Sequence, residues 1–190
     1  VLLVINLALV IGFGIVFGIR KNYEFMTYVV VVAGVAGVVV ASMRRVNFTL
    51  DTLVAMTVWA AMHLAGGGVL IPGSGCLYAT MIYQLPTELP IFRYDQLVHI
   101  WGFATAALLT RDMLAGHLRS PLSGKVAVSI VIVMAASGFG ALNEIIEFLV
   151  DAAVPDSGVG GYVNTSLDMC SNMVGGIFGI VYLHVRGRLV

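Results

Sequence analysis

Between Val1 and Ile19 the chain carries no charged residue, and the same holds from Met26 to Met43. Each run is close to the ~20 apolar residues needed to cross the hydrocarbon core of a bilayer as a helix. Lipid offers nothing to hydrogen-bond a free amide, so such runs fold as helices that satisfy their own backbone. Composition carries the argument to the rest of the chain. Of its 190 residues, 59% are hydrophobic and 11% are charged, whereas a soluble domain carries ~25% charged residues. The reading is an all-α, polytopic transmembrane helix bundle forming a single integral membrane domain over residues 1–190. A formal net charge of zero gives no basic surface for nucleic acid. The expected partners are therefore the lipid bilayer and, as an alternative, other membrane subunits.

Six spans are expected, at about 1–19, 26–43, 50–65, 94–114, 126–150 and 166–185. Arg20-Lys21 stops the first and Arg44-Arg45 the second. Asp51 can cap the third, which should end at Gly66-Gly67-Gly68. The first run lacks a basic leader and a small-residue cleavage site, so it reads as a helix rather than a signal peptide. Residues 66–93, broken by IPGSG and LPTELPIF, form a connection expected to pack over one end, with a short interfacial helix around Leu77–Leu85. A glycine-rich loop, PDSGVGGYVNT, precedes the sixth span. With six spans, Arg44, Arg45, Arg111, Arg119, Lys125, Arg186 and Arg188 share one side, against Arg20, Lys21 and Arg93 on the other. The positive-inside rule then puts both termini in the cytoplasm.

Against this background the buried polar residues stand out. A charged side chain at the centre of a spanning helix costs ~2.5–3.5 kcal/mol even on lenient insertion scales. Asp95 and His99 open span four at i,i+4, and Glu144 and Glu147 close span five at i,i+3. Asp168 and Asn172 open span six at i,i+4. These spacings place each pair on one helix face. Asn143, just before Glu144, is expected to point elsewhere. Alternating helix direction brings all of them, with His63 and Arg93, to the extracytoplasmic half of the bundle.

Charge counting sharpens the pattern. Asp95, Glu144, Glu147 and Asp168 could carry four negative charges, and only Arg93 is reliably positive nearby. Crowded carboxylates in low dielectric cannot all ionise. Protons, a cationic head group or a divalent metal must fill the deficit. Ligands at i,i+3 and i,i+4 on facing helices are how bundle metal sites are built, and this donor set suits Zn, Mn or Fe better than Cu(I). The metal candidates are Asp95, His99, Glu144, Glu147 and Asp168, with His63, Arg93 and Asn172 in support. The competing reading is plain interhelical hydrogen bonding.

Other features have blander readings. Cys76 and Cys170 match no metal or redox spacing and read as small apolar filler. His117 and His184 fall at the opposite ends and should be solvated, and Asp151 and Asp156 should lie in a solvent-facing loop. Gly14-xxx-Gly18 and Gly175-xxx-Gly179 are faces for close helix approach. The GVGGY loop follows no strand, which excludes a nucleotide-binding fingerprint, and no nucleophile elbow appears.

The runs H63-L-A-G-G, R93-Y-D-Q-L-V-H99-x-x-G102-F, G140-A-L-N-E-I-I-E147-F and D168-M-C-S-N172-M-V-G-G resemble the YjdF-like family of bacterial inner-membrane proteins over roughly residues 50–185. The skeleton D-x-x-x-H, an acid-bearing helix and D-x-x-x-N-x-x-G is also similar to VanZ-like membrane proteins. The resemblance implies a helical bundle in a bacterial inner membrane and names no reaction. The leading expectation is a pocket near the extracytoplasmic face that binds a metal ion or an amphiphile head group. For catalysis, metal-assisted hydrolysis or transfer on an amphiphile is the class to test, with Glu144 or Glu147 as general base. The alternative is an accessory subunit docked through its helices. A proton or cation conduit is disfavoured, because span four below Gly102 (FATAALLT) and span six below Asn172 are apolar.

Overall fold

A computed structural model describes residues 1–73, 75–117, 125–154 and 160–189. Among these, six α-helices run in order: α1 (Leu2–Arg20), α2 (Tyr23–Ser42), α3 (Leu50–Gly68), α4 (Tyr94–Leu114), α5 (Lys125–Ala153) and α6 (Tyr162–Val185). A two-residue hairpin (Leu70–Ile71 with Gly75–Cys76) and a 3-10 turn (Leu77–Ala79) are the regular parts of the connection before α4. The expected interfacial helix over Leu77–Leu85 is thus only that turn, because Pro86 and Pro90 follow closely and the backbone instead pairs Met81 with Arg93.

The all-α bundle is as expected, but the span count is not. Four described helices, α1, α2, α5 and α6, are long and apolar enough to cross a membrane. Six was the expectation, and α3 and α4 fall short because they hold much of the polar content, including Asp51, His63, Asp95, His99 and Asp112. Their place in the bundle answers that composition. α3 packs on α1, α2 and α4, while α4 packs on α3, α5 and α6. The polar helices form the central seam, and the apolar ones flank it.

Contacts at both ends fix an up-and-down arrangement. At one end Asp112, late in α4, accepts from the Thr49 backbone N–H at 2.8 Å and the Thr52 hydroxyl at 2.7 Å, at the start of α3. There Arg188 and Tyr182, from the end of α6, donate to Asp51. Asp51 is therefore not the cap of α3. Thr49 is, because its side chain accepts from the Thr52 N–H, and Asp51 one turn in is free to face the arginines. At the other end Arg20, closing α1, donates to the Gly68 carbonyl at the end of α3.

Two glycine runs explain why the helices approach so closely. Gly66, Gly67 and Gly68 were expected to end α3, and they form its last turn, the helix stopping at Gly68. Rings of Tyr78, Phe25 and Phe13 press onto these positions, where an added Cβ would collide with them. Gly175 and Gly179 are the α6 half of the α4–α6 interface, against Ile100, Ala104 and Ala107, which is the close approach expected of that face. Gly14 meets only Val29 at ordinary contact distance, and nothing lies near Gly18. A Cβ on Gly175 would meet the Ile100 carbonyl, and backbone cannot step aside. Gly175→Ala should therefore lower stability by ~1–3 kcal/mol through overpacking. Gly37→Ala, at a position with open space, should be neutral or slightly stabilising. Unfolding midpoints in detergent micelles check both.

Candidate functional site

The polar layer is built by the first turns of α4 and α6 and the last turns of α5. Phe92 takes a left-handed φ of 72°, which turns the connection into α4. The Arg93 backbone N–H then donates to Gln96 Oε1 at 2.6 Å, closing the first turn. That leaves the Gln96 amide nitrogen to donate to Asp168 Oδ1 at 3.2 Å. Asn164 donates to Asp168 Oδ2 and, at 3.4 Å, to Asp95 Oδ2. Asp168, fully buried, is thereby held by partners from two helices.

His99 is the hub. Its ring lies 6% exposed, with Nδ1 2.8 Å from Asn172 Oδ1. Gly140 on α5 supplies the room for that asparagine, since a Cβ there would overlap its amide. An amide oxygen only accepts, so this contact places a proton on Nδ1 and turns Nε2 toward the carboxylates. Nε2 faces Asp95 Oδ1 at 3.6 Å and Glu147 Oε1 at 4.0 Å. On the other side, Glu144 Oε1 lies 3.8 Å from Nδ1. Asn143 does not point away, as expected from its place before Glu144. One turn from Glu147, it donates to Glu147 Oε1 at 2.7 Å.

Glu144 is the anomaly of the layer. It is 9% exposed, and among the described residues neither carboxylate oxygen has a partner at full hydrogen-bond geometry, the nearest amides being those of Asn143 and Asn172. An unmet buried carboxylate costs several kcal/mol in a low-dielectric interior.

Two overlapping donor sets come close enough to share a cation: Asp95, His99 and Asp168, and His99, Glu144 and Glu147. In each set one ligand atom per residue lies within 4.8 Å of the others. N and O ligands around a tetrahedral metal sit ~3.3–3.6 Å apart, so each set would have to draw in by ~1 Å to close on an ion. A cavity of about 670 Å³ divides the candidates. Asp95, His99 and Glu147 line it, on the Nε2 side of the ring, together with Arg93, Asn143 and Asn164. Glu144, Asp168 and Asn172 lie behind.

His63 lines the same cavity from α3 but is not among the acids. Its ring stacks on Trp59 (centroids 5.3 Å apart) and meets Tyr28 and Tyr78 edge-on. The Tyr78 hydroxyl lies within hydrogen-bond distance of His63 Nδ1. Burial first, and then the charges of Asp95 and Glu147, push the Tyr78 phenol well above its usual range, so it remains a donor. Arg93 makes no ion pair or side-chain hydrogen bond among the described residues, and its Nε is buried without a partner.

Sequence reasoning missed Gln96, Asn164 and the aromatic wall around His63. Asn164 and Asp168 stand at i,i+4, a signal of the same kind as the pairs that were noticed. The contact of Gln96 with Asp168 crosses helices and leaves no local trace. His117 and His184 are exposed at the far ends, and Asp151 is exposed but belongs to the last turn of α5 rather than a loop. Cys76 and Cys170 are free thiols. Arg119, Asp156 and part of the glycine-rich loop lie outside the described residues.

If Glu144 is a ligand-seeking group rather than structural glue, removing it should relieve the unfilled layer. Glu144→Leu is expected to raise the unfolding midpoint of chelator-treated protein, by ~1 kcal/mol or more. Asn172→Leu, which strips His99 of its acceptor, should lower it by ~1–3 kcal/mol. Thermal unfolding in detergent with a chelator present reads both.

A family model described as predicted membrane protein (DUF2238) matches residues 1–188. No curated protein and no solved structure matches the chain.

Proposed function

The chain belongs to the DUF2238 family of predicted membrane proteins, and we propose that its polar layer binds a divalent metal cation on the extracytoplasmic side of a bacterial inner membrane. The observation that carries this reading is Glu144, a buried carboxylate without a partner at full hydrogen-bond geometry among the described residues, aimed at a ring already flanked by Asp95 and Glu147. A cation on His99 would draw its carboxylates from one of the two donor sets, Glu144 with Glu147 or Asp95 with Asp168, and the other set would add negative potential beside it. Asn172, by accepting from Nδ1–H, would play the orienting part that outer partners of metal-bound histidines commonly play. The donors are imidazole and carboxylate, which favours Zn, Mn or Fe.

Orientation in this reading rests on the Lys and Arg distribution, and the bacterial membrane on the YjdF-like and VanZ-like motifs. For chemistry, the layer supplies the parts of metal-assisted hydrolysis, with Glu147 as the cavity-facing candidate base. The accessory-subunit reading draws its support from the apolar outer faces of α1 and α6, which a bilayer would equally cover.

Metal analysis of protein purified without chelator tests the proposal. Wild type should carry about one equivalent of a transition metal, and His99→Ala and Glu147→Ala should lose most of it, a drop of ~10-fold or more in affinity. Folded wild type that holds no metal after supply of Zn, Mn and Fe sinks this reading in favour of the accessory subunit.

A further inference from the structure

The cavity does not stop at the polar layer. From Asp95 and His99 it follows α4 past Val98 and Gly102 to Leu109 and Met113. The eighteen residue steps of α4 from Asp95 to Met113 cover roughly 27 Å at 1.5 Å per residue, close to the ~30 Å of a bilayer's hydrocarbon core. Beyond His99 the α4 side of the lining is apolar apart from Thr105, whose hydroxyl donates to the Trp101 carbonyl. The side walls of the cavity are α2, through residues such as Gly34 and Val38, and α5, through Phe139 and Leu142. α2 packs on α1 and α3, and α5 on α4 and α6, so the two walls stand apart over the α3–α4 seam. The result is a long cleft with a polar head and an apolar body, of a size within the ~300–1,000 Å³ common for small-molecule sites.

Charge selects the occupant. With the carboxylates of one donor set engaged by a cation, Arg93 is a charge on the polar wall with no ion pair among the described residues. Glu24 also lines this end and has an interaction of its own. A guanidinium beside a carboxylate-held metal is an arrangement that suits phosphate oxygens, which arginine binds through paired N–H donors and metals commonly bridge to carboxylates. We propose that the cleft takes a phosphate-headed amphiphile, its head between the metal and Arg93 and its hydrocarbon chain along α4 between α2 and α5. This rests on the metal reading above. The aromatic wall of Tyr28, Trp59 and Tyr78 flanks the head end, where amphipathic rings meet both polar and apolar parts.

The test measures binding of oleoyl lysophosphatidate to metal-analysed protein in a non-ionic detergent, with glycerol 3-phosphate and dodecyltrimethylammonium as comparisons. Wild type should bind lysophosphatidate and show little affinity for the tailless phosphate or the cationic chain. Arg93→Gln should keep its metal and weaken binding roughly 10- to 100-fold, the loss of a charge-assisted contact. Gly34→Phe fills the cleft far from the metal, at a position where an added Cβ meets nothing within 4 Å. It should keep its metal and lose the probe. Metal-bound wild type that ignores lysophosphatidate overturns this inference alone, as does glycerol 3-phosphate binding equally well. Preference for the cationic chain, or Gly34→Phe binding like wild type, overturns it too. Protein that holds no metal overturns the metal reading and this inference with it.

Discussion

A carboxylate inside a membrane has no water to fall back on, and its partner has to come from another helix or from a ligand. That requirement organises this bundle. Asp168 meets it with Gln96 and Asn164, and His99 meets it with Asn172. Asp112 at the far end meets it with Thr49 and Thr52. Each solution ties one helix to another at a fixed height and register. Packing then closes around these ties, with Gly175 and Gly179 letting α6 lie against α4. Glu144 is the place where the requirement is not met at full hydrogen-bond geometry by the described residues.

The same requirement sorts the helices. α1, with its apolar outer face, can meet lipid anywhere along its length, and so can much of α2, α5 and α6. α3 and α4 are drawn to the centre because their polar side chains need neighbours. The bundle thus has two halves, α1–α3 and α4–α6, joined along α3 and α4. The cleft lies where those halves do not close on each other. A polar layer at one end of such a cleft, and apolar walls along the rest, is the geometry on which the proposed amphiphile site rests.

Much of this was legible in the residues. Helix α4 has the bounds read from the sequence, though it is not one of the four helices apolar enough to cross a membrane, and spacing alone pairs Asp95 with His99 and Glu144 with Glu147. Charge counting also found the shortage of positive partners. What escaped were relations between helices. Asp51 looked like a cap because local sequence offers it that role, while its actual partners, Arg188 and Tyr182, stand more than a hundred residues away. The triple glycine read only as a helix end, which it is, because nothing nearby announces the three aromatic rings that pack onto it. The division of the acids into Asp95 and Glu147 on the cavity and Glu144 and Asp168 behind it depends on helix rotation, which a spacing rule leaves open within a turn. Six spans were expected because α3 and α4 read, in one dimension, as runs of sufficient length, while their polar content leaves them outside the four described helices apolar enough to cross.

X-ray absorption at the metal edge of the loaded protein tests the central claim most directly, because it reports the donor atoms themselves. The account predicts an all N/O shell at ~2.0–2.2 Å, with scattering from a single imidazole that disappears in His99→Ala. A shell containing sulfur, from Cys76 or Cys170, or an imidazole signal that survives His99→Ala, would contradict it.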